Sequence, residues 1–281
     1  MNLGAHMSIA GGLSKALERG KAADCSIVQM FLKNQVQWVG KPLKQEEIAE
    51  FRRLQAATGI QTVFAHSTYL INLCSPVDTE WKRSVNAFHD ELERAEALGL
   101  RYVVVHPGSH KAAGVEVGIA RIVDALDELH RRTHGYRVQI LLENSAGAGK
   151  MIGSRFEELH AVLNRIKEPD RIGVCLDTCH LFAAGYDIRT RPAYEATMIA
   201  SDRIVGLHRV KVFHLNDAKK GLGSGLDRHE HIGQGQIGVD AFRFLLNDPR
   251  VASVPMCIET PKDDDESDPR NLALLRSLRT H

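Results

Sequence analysis

The chain has 281 residues, of which 43% are hydrophobic and 25% charged, with a formal net charge of only +1. Such values are typical of an ordinary globular protein and exclude a disordered, collagen-like or disulfide-stapled chain. The 36 basic residues are nearly balanced by 35 acidic ones, so the overall charge predicts no strong nonspecific attraction to nucleic acid. Any affinity for phosphate has to come from a local cluster of positive charge. The five cysteines form no CxxC pair, which indicates reduced thiols.

The sequence contains no pattern of a signal peptide or a membrane span. Its first residues, MNLGAHMSIAGGL, lack a basic stretch followed by a long apolar one, and no run of about 18 apolar residues occurs. We therefore expect a cytoplasmic protein that does not associate with membranes.

Eight short apolar runs, most of them closed by a polar residue, predict strands. In chain order they are NLGAH (2 to 6), IVQMFLK (27 to 33), TVFAH (62 to 66), YVVVH (102 to 106), QILLE (139 to 143), IGVCLD (172 to 177), VKVFH (210 to 214) and VPMCIE (254 to 259). Helical periodicity lies between most of them, as in residues 44 to 59, 84 to 99, 114 to 132 and 155 to 166. Apolar strands that alternate with amphipathic helices predict an α/β fold, and eight such units predict a (β/α)8 TIM barrel that forms a single domain over residues 1–281.

Six of the predicted strands end in residues of the types that bind metal ions. They are His66, His106, Glu143, Asp177, His214 and Glu259. In such a barrel all strands end at the same rim, so these side chains should converge. His180 follows Asp177 by three residues, and Asp227 and His229 alternate in a later loop, so that both can face one ion. The sequence thus predicts nine ligands at the C-terminal rim.

Five imidazoles and four carboxylates are too many ligands for one tetrahedral ion. They predict two or three ions, with a carboxylate such as Glu143 bridging a pair. A nitrogen-rich set favours zinc, while the carboxylates are also compatible with manganese or iron in one site. Three divalent ions would outweigh four carboxylates, leaving the rim locally attractive to phosphate.

Several other residues are weaker candidates. Three histidines near the rim could line the site or support a ligand: His6, His110 and His231. Cys179 could bind metal as a thiolate, but the set of nine is complete without it. His130 and His134 have the i, i+4 spacing of a metal pair, yet no acidic third ligand is evident, and we predict a solvated helix end there.

The order of the motifs carries a family resemblance. The relevant blocks are GAHMSIAGGL (4 to 13), FLKNQVQW, AHSTYLINL, VVVHPGSH, LLENSAGAG, VCLDTCHLFAAGYD, FHLNDAKKGLGSGLDRHEHIGQGQIG and IETP (258 to 261). In order and spacing they resemble endonuclease IV, the zinc-dependent apurinic/apyrimidinic endonuclease family. The blocks span nearly the whole chain and are too specific for a chance match.

The resemblance implies a barrel with three zinc ions, and all nine ligand positions are intact. By that resemblance the ligands form three sets: His66 and His106 with Glu143 as the bridge to the second ion; Asp177, His214 and Glu259; and His180, Asp227 and His229. It also implies catalytic roles for Glu143 and Glu259.

The implied reaction is hydrolysis of double-stranded DNA on the 5′ side of an abasic site, leaving a 3′-hydroxyl and a 5′-deoxyribose phosphate. A hydroxide shared by two ions would be the nucleophile, and the third ion would stabilise the leaving oxygen. We also expect a 3′-phosphodiesterase and 3′-phosphatase side activity, and a monomer. Tyr69 and Leu70 match the side chains that fill the DNA where the abasic sugar is extruded.

Three features depart from the family pattern. Val36 stands where a well-known pattern has arginine, so one cationic insertion into the DNA is lost. Thr68 replaces a proline, which should loosen its loop slightly. The acidic run from 263 to 266 begins on the substrate face, where it could oppose DNA, although a short solvated loop is its simpler interpretation.

The main alternative is a metal-dependent sugar isomerase or epimerase on a related barrel. Such enzymes hold one or two ions with a Glu, Asp, His, Glu set, which Glu143, Asp177, His214 and Glu259 alone would supply. That alternative leaves the other five ligands unexplained. A lesion-binding protein without turnover is a further class, but its expected mark, a missing ligand, is absent.

Overall fold

A computed structural model describes residues 2–280 and contains a closed barrel of eight parallel strands. Within these residues the strands are β1 (Leu3–His6), β2 (Ile27–Met30), β3 (Thr62–His66), β4 (Tyr102–Val105), β5 (Gln139–Glu143), β6 (Ile172–Asp177), β7 (Val210–His214), β8 (Asp217–Ala218), β9 (His229–Glu230) and β10 (Met256–Ile258). Strand β10 pairs in parallel with both β7 and β1 and so closes the barrel. The predicted (β/α)8 barrel is confirmed.

Helices cover the outside of the barrel. They are α1 (Ser14–Ala22), α2 (Gln45–Thr58), α3 (Asp78–Leu98), α4 (Val115–Arg132), α5 (Phe156–Leu163), α6 (Thr178–Ala183), α7 (Arg191–Ile204), α8 (Val239–Leu246) and α9 (Ser267–Ser277). Helix α3 begins at Asp78 rather than at Ser84, because TEWKR extends the same amphipathic pattern. Across the described residues, none of the helices combines the length and the apolar character that crossing a membrane requires.

Two separate apolar clusters make up the core. The larger lies between the sheet and the helices, and the smaller fills the barrel interior with Ile27, Phe64, Tyr102, Val104, Leu141, Cys175, Val212 and Cys257. Successive residues of a strand point to opposite faces, so the barrel strands are buried on both faces. This explains why the strands read as nearly continuous apolar runs.

Three predicted strands end earlier at the rim than expected: β2 ends at Met30 instead of Lys33, and two others each end one residue early. Strands β4 and β10 end at Val105 and Ile258, so His106 and Glu259 are the first residues after them. Pro107 follows His106 and has no backbone N–H with which to continue the ladder. Both side chains nevertheless keep the inward direction of Val104 and Cys257, two residues earlier.

A small antiparallel ribbon extends the rim after β7. Strands β8 and β9 pair there, with Ala218 opposite His229. The buried carboxylate of Asp217 accepts backbone N–H groups of Gly233, Gly235 and Ile237 at 2.9–3.1 Å, which fixes the loop that returns to α8. The ribbon therefore holds Asp227 and His229 over the barrel mouth.

Candidate metal centre

One polar layer closes the barrel interior at the C-terminal rim. Each of the eight barrel strands, or the residue directly after it, contributes one member: His6, Gln29, His66, His106, Glu143, Asp177, His214 and Glu259. Seven of them stand two residues after a member of the interior cluster, and His6 stands two after Gly4, which pairs with Ile27 and Cys257 of that cluster. Residues i and i+2 of a strand face the same side, so the polar layer lies directly above the apolar one. Six of the nine predicted ligands belong to it.

Glu143 lies at the centre of the layer and is fully buried. Its Oε2 atom is 2.9 Å from His66 Nε2 and 3.5 Å from His106 Nε2. Its Oε1 atom is 2.9 Å from His214 Nδ1 and 3.3 Å from His180 Nδ1. Burial would raise the pKa of Glu143, but the surrounding imidazoles hold it well below its usual range. The two oxygens face different pairs of ligands, which is the arrangement that a bridging carboxylate needs.

The second group consists of Glu143, Asp177, His214 and Glu259. Their ligand atoms all lie within 4.8 Å of one another. His214 Nδ1 is 3.8 Å from Asp177 Oδ2 and 3.4 Å from Glu259 Oε2. Burial would lower the pKa of His214, but the negative charges beside it raise that pKa well above its usual value.

The third group consists of His180, Asp227 and His229. His180 Nε2 and His229 Nε2 lie 3.1 and 3.2 Å from the two oxygens of Asp227. Burial opposes charge on His229, yet the neighbouring Asp177 and Asp227 carboxylates raise its pKa to about 9. Both Nε2 atoms are buried and lack a hydrogen bond of regular geometry. Ligands of one cation lie close together and direct lone pairs at the ion, so they do not align as hydrogen-bond partners of one another. The two Nε2 atoms and the Asp227 carboxylate show this arrangement, and these residues therefore fit a metal ion.

Two asparagines that sequence reasoning missed hold the carboxylate ligands in place. The Asp177 backbone N–H donates to Asn144 Oδ1 at 2.6 Å, and Asn216 Nδ2 donates to Asp177 Oδ2 at 2.6 Å. The Glu259 backbone N–H donates to Asn216 Oδ1 at 2.8 Å. Each asparagine stands one or two residues after a predicted ligand, Glu143 or His214, and that proximity was the available signal.

The weaker rim candidates have other partners. His110 Nδ1 accepts the Gly114 N–H at the start of α4, and His231 bonds Asn271 and Asp263. Only His6 joins the polar layer, 3.4 Å from Glu259 Oε1.

Cys179 lies close to two of the predicted ligands, Asp177 and His229. Its thiol, however, donates to the Arg228 carbonyl oxygen at 3.6 Å. Burial raises the pKa of that thiol to about 12, which favours the protonated form. The nine-ligand set remains complete without it.

The predicted solvated helix end at His130 and His134 is wrong for the first residue. His134 lies beyond α4 and is exposed, whereas His130 is only 2% exposed. The reason is helical register, since His130 is four residues after the buried Leu126 and shares its face.

The side chains expected to contact DNA lie beside a cavity at the rim. Tyr69 is 69% exposed, and Leu70 follows it in the same turn. The cavity of about 410 Å³ is lined by Tyr69, Asn72, His106, Ser145, His180 and Asp227, among others. It therefore joins the exposed tyrosine to ligands of the first and third groups.

The structure shows the surroundings of the three features that depart from the family pattern. Val36 is exposed, as an inserting residue must be. Thr68 is buried and donates two hydrogen bonds to Glu91, which hold this loop in place without a proline, and the expected slight loosening stays a prediction. In the exposed acidic run, Asp263 accepts from His231 and Asp264 pairs with Arg270, so part of its charge is compensated.

Comparisons with known proteins identify the family of the chain. A family model described as a xylose isomerase-like TIM barrel matches residues 17–280. A protein of Chloroflexus aggregans named probable endonuclease 4 is 53% identical over 276 residues, which cover 98% of this chain and 96% of that protein. The chain belongs to the endonuclease IV family.

Structural similarity within the endonuclease IV family is close. The crystal structure of endonuclease IV from Thermus thermophilus matches with a TM-score of 0.88 at 37% identity, covering 99% of this chain and 98% of that one. A D-tagatose 3-epimerase-like protein matches with a TM-score of 0.77 at 18% identity over 99% of this chain and 97% of that one, a likeness of fold alone. As a member of the endonuclease IV family, the chain is a nuclease.

Proposed function

We propose that the chain is a DNA-repair endonuclease that hydrolyses the phosphodiester bond 5′ to abasic sites in double-stranded DNA. The products are a 3′-hydroxyl and a 5′-deoxyribose phosphate, and 3′-phosphodiesterase and 3′-phosphatase activities accompany the main one. The protein acts as a monomer. The observation that carries the proposal is the convergence of nine predicted ligands in three neighbouring groups, two of which share Glu143, at one rim of an endonuclease IV family barrel.

Three zinc ions are the proposed cofactors, and manganese or iron also suits one site. Each ion has its own set: His66, His106 and Glu143; Glu143, Asp177, His214 and Glu259; His180, Asp227 and His229. When bound, the ions supply Lewis acidity that makes water a nucleophile near neutral pH and neutralises phosphate charge.

The chain's own residues set the geometry of the reaction. Glu143 directs one oxygen to each side and so keeps two groups at a fixed separation. Glu259 directs Oε2 towards His214 and the centre of the layer. Both carboxylates therefore lie among the ligands of the first and second groups, which supports their proposed catalytic roles.

Tyr69 and Leu70 are proposed to occupy the space left by the missing base. Their turn borders the cavity that reaches His106 and Asp227. Extrusion of a sugar costs least where no base has to be unpaired and unstacked. An abasic sugar could therefore enter the cavity, and selectivity for the lesion follows.

The second candidate is a sugar isomerase or epimerase. Its support is the Glu143, Asp177, His214 and Glu259 group together with the fold-level likeness to an epimerase-like protein. It leaves the His180, Asp227 and His229 group without a function. Metal analysis separates the two, since about three zinc ions favour the nuclease, and a single manganese or magnesium ion favours the isomerase.

The decisive experiment incubates the zinc-loaded protein with an end-labelled duplex that carries one synthetic abasic site. We expect a single cut 5′ of the lesion and no cut in the same duplex without the lesion. A parallel duplex with a 3′-phosphate at a nick tests the side activity. Absence of abasic-site cleavage by protein that holds three zinc ions would overturn the proposal.

A matched pair of variants tests the assigned site. Glu259→Gln removes a charge at the rim and should abolish cutting while leaving the circular dichroism spectrum unchanged. Glu128→Gln makes the same change in a surface ion pair with Arg131 and should cut like the parent protein. Cutting by Glu259→Gln at the parent rate would contradict its role.

A further inference from the structure

Gln29 is the one member of the polar layer with an uncharged amide, and it is completely buried. Its Oε1 atom lies 2.8 Å from His214 Nε2. Its Nε2 atom lies 2.5 Å from Glu259 Oε1 and 2.8 Å from His6 Nδ1. A single amide thus connects three side chains, two of which are predicted ligands of the second group.

The orientation of this amide follows from its partners. The carboxylate of Glu259 can only accept hydrogen bonds, so the amide NH2 of Gln29 has to face it. The amide oxygen then faces His214, and His214 Nε2 has to carry the hydrogen that this oxygen accepts. In the neutral imidazole, which is the form that binds a cation, Nδ1 then carries the free lone pair, and this atom lies 2.9 Å from Glu143 Oε1.

The same amide gives the two oxygens of Glu259 different partners. Oε1 is occupied by the NH2 group of Gln29, whereas Oε2 lies 3.4 Å from His214 Nδ1, within the second group. Without Gln29 the carboxylate would lose its 2.5 Å donor and keep on that side only the longer approach of His6 Nδ1, 3.4 Å from Oε1. Gln29 therefore leaves one defined oxygen for a cation.

We propose that Gln29 is a positioning residue for the second metal group, selecting the His214 tautomer that presents Nδ1 and the Glu259 oxygen that faces the ion. This inference rests on the proposed function, since it requires that the second group binds zinc. Gln29 itself contacts neither the ion nor DNA. It acts by holding two ligands of the second group, His214 and Glu259.

A merely structural role for Gln29 makes a different prediction. If its hydrogen bonds only satisfy buried polar groups, their loss should lower stability and leave metal binding as it was. If Gln29 positions ligands, metal affinity should fall at one of the three ions. Loss of a residue that orients a metal ligand typically weakens binding about 10–100-fold.

The test compares Gln29→Met with the control Gln139→Met. Both glutamines lie on barrel strands, but the Gln139 amide donates to the Asp170 carbonyl oxygen at the opposite end of β5. Zinc affinity is measured by competition with a chromogenic chelator, and ligand geometry by the visible spectrum of the cobalt-substituted proteins. We expect roughly 10–100-fold weaker binding of one ion and an altered cobalt spectrum in Gln29→Met only.

The outcomes separate this inference from the proposed function. Failure of the parent protein to bind about three zinc ions would overturn the proposed function. Normal binding by the parent together with unchanged zinc affinity and cobalt spectrum in Gln29→Met would overturn the role of Gln29 alone. Gln29→Leu, with a shorter side chain, replaces Gln29→Met in the same measurements if the methionine prevents folding.

Discussion

The backbone N–H and the hydroxyl of Thr68 both donate to Oε1 of Glu91, at 3.3 and 3.1 Å. Glu91 belongs to α3 and is completely buried, while Thr68 directly precedes the exposed Tyr69. Lys33 Nζ lies 3.1 Å from the same oxygen and comes from the loop after β2. One buried carboxylate therefore fastens two rim loops, including the one that carries the proposed DNA-inserting residues.

Replacing Thr68 with valine should destabilise the protein. The substitution keeps the shape of the side chain and the backbone donor but removes the hydroxyl that bonds Glu91. A lost hydrogen bond to a buried carboxyl group costs about 1–3 kcal/mol. Urea unfolding of the metal-free protein measures this change. Thr62→Val, at the start of the strand that leads to Thr68, is the control, and an equal free energy of unfolding for Thr68→Val and the parent would refute the prediction.

Replacing Lys33 with methionine should have a larger effect. The Lys33 ammonium is buried and also donates to the carbonyl oxygens of Trp38 and Ala87 and to Asp90. Its removal leaves Glu91 as a buried carboxylate without a cationic partner. Breaking a buried pair in this way costs about 3–5 kcal/mol, which urea unfolding would detect.

The double variant Lys33→Met/Glu91→Gln provides the control for that experiment. With both charges gone, no buried carboxylate is left uncompensated, so the double variant should be more stable than Lys33→Met alone. The single variant Glu91→Gln is measured alongside. If the double variant lost as much stability as the two single variants together, the two side chains would act independently, and the prediction would be wrong.

The alternation of residues along strands made most of the site predictable. Because positions i and i+2 share a face, polar residues that end apolar strands had to meet above the interior core, and six predicted ligands do. The same rule applied to β2 would have identified Gln29, which stands two residues after Ile27. It was missed because Gln29 interrupts an apolar run instead of ending one.

Contacts between distant segments could not be predicted in this way. The acceptor for Thr68 lies on α3, and no local pattern connects the two residues, so the sequence did not reveal the hydrogen bonds that hold this loop. His130 was a different error, since its spacing from Leu126 already placed it on the buried face of α4. The i, i+4 spacing from His134 has no structural consequence, because His134 lies beyond the end of α4.

Restoring an arginine at position 36 should strengthen DNA binding. Val36 is 77% exposed, and its uncharged side chain cannot form an ion pair with a phosphate group. In the non-cutting Glu259→Gln background, we expect Val36→Arg to bind an abasic duplex roughly two- to five-fold more tightly at low salt. If the new side chain neutralises one phosphate, the slope of log affinity against log salt should steepen by about 0.9.

Fluorescence anisotropy over a series of salt concentrations measures both quantities for Val36→Arg. Ile199→Arg is the matched control, because Ile199 is an exposed hydrophobic residue on the outer helix α7. It should change neither the affinity nor the slope appreciably. Equal salt slopes for Val36→Arg and its parent would mean that position 36 does not approach the DNA backbone.

His130 should make the protein sensitive to mild acid. Burial, together with the positive charge of Arg171, lowers the pKa of His130 from 6.5 to about 4. Between these values the unfolded chain binds the proton that the folded chain excludes. The contribution of His130 is therefore intact above pH 6.5 and is lost as the pH falls towards 4. By about pH 5 the loss should amount to about 1–2 kcal/mol.

The variant His130→Phe isolates this effect, because neither imidazole nitrogen of His130 has a hydrogen bond to lose. Its free energy of unfolding should fall less than that of the parent between about pH 7 and pH 5. The metal-free proteins are compared, so that the histidines at the rim contribute equally to both. His134→Phe, at the exposed neighbour, should keep the acid sensitivity of the parent. Parallel pH profiles for His130→Phe and the parent would mean that His130 is protonated as readily in the folded protein as in the unfolded chain.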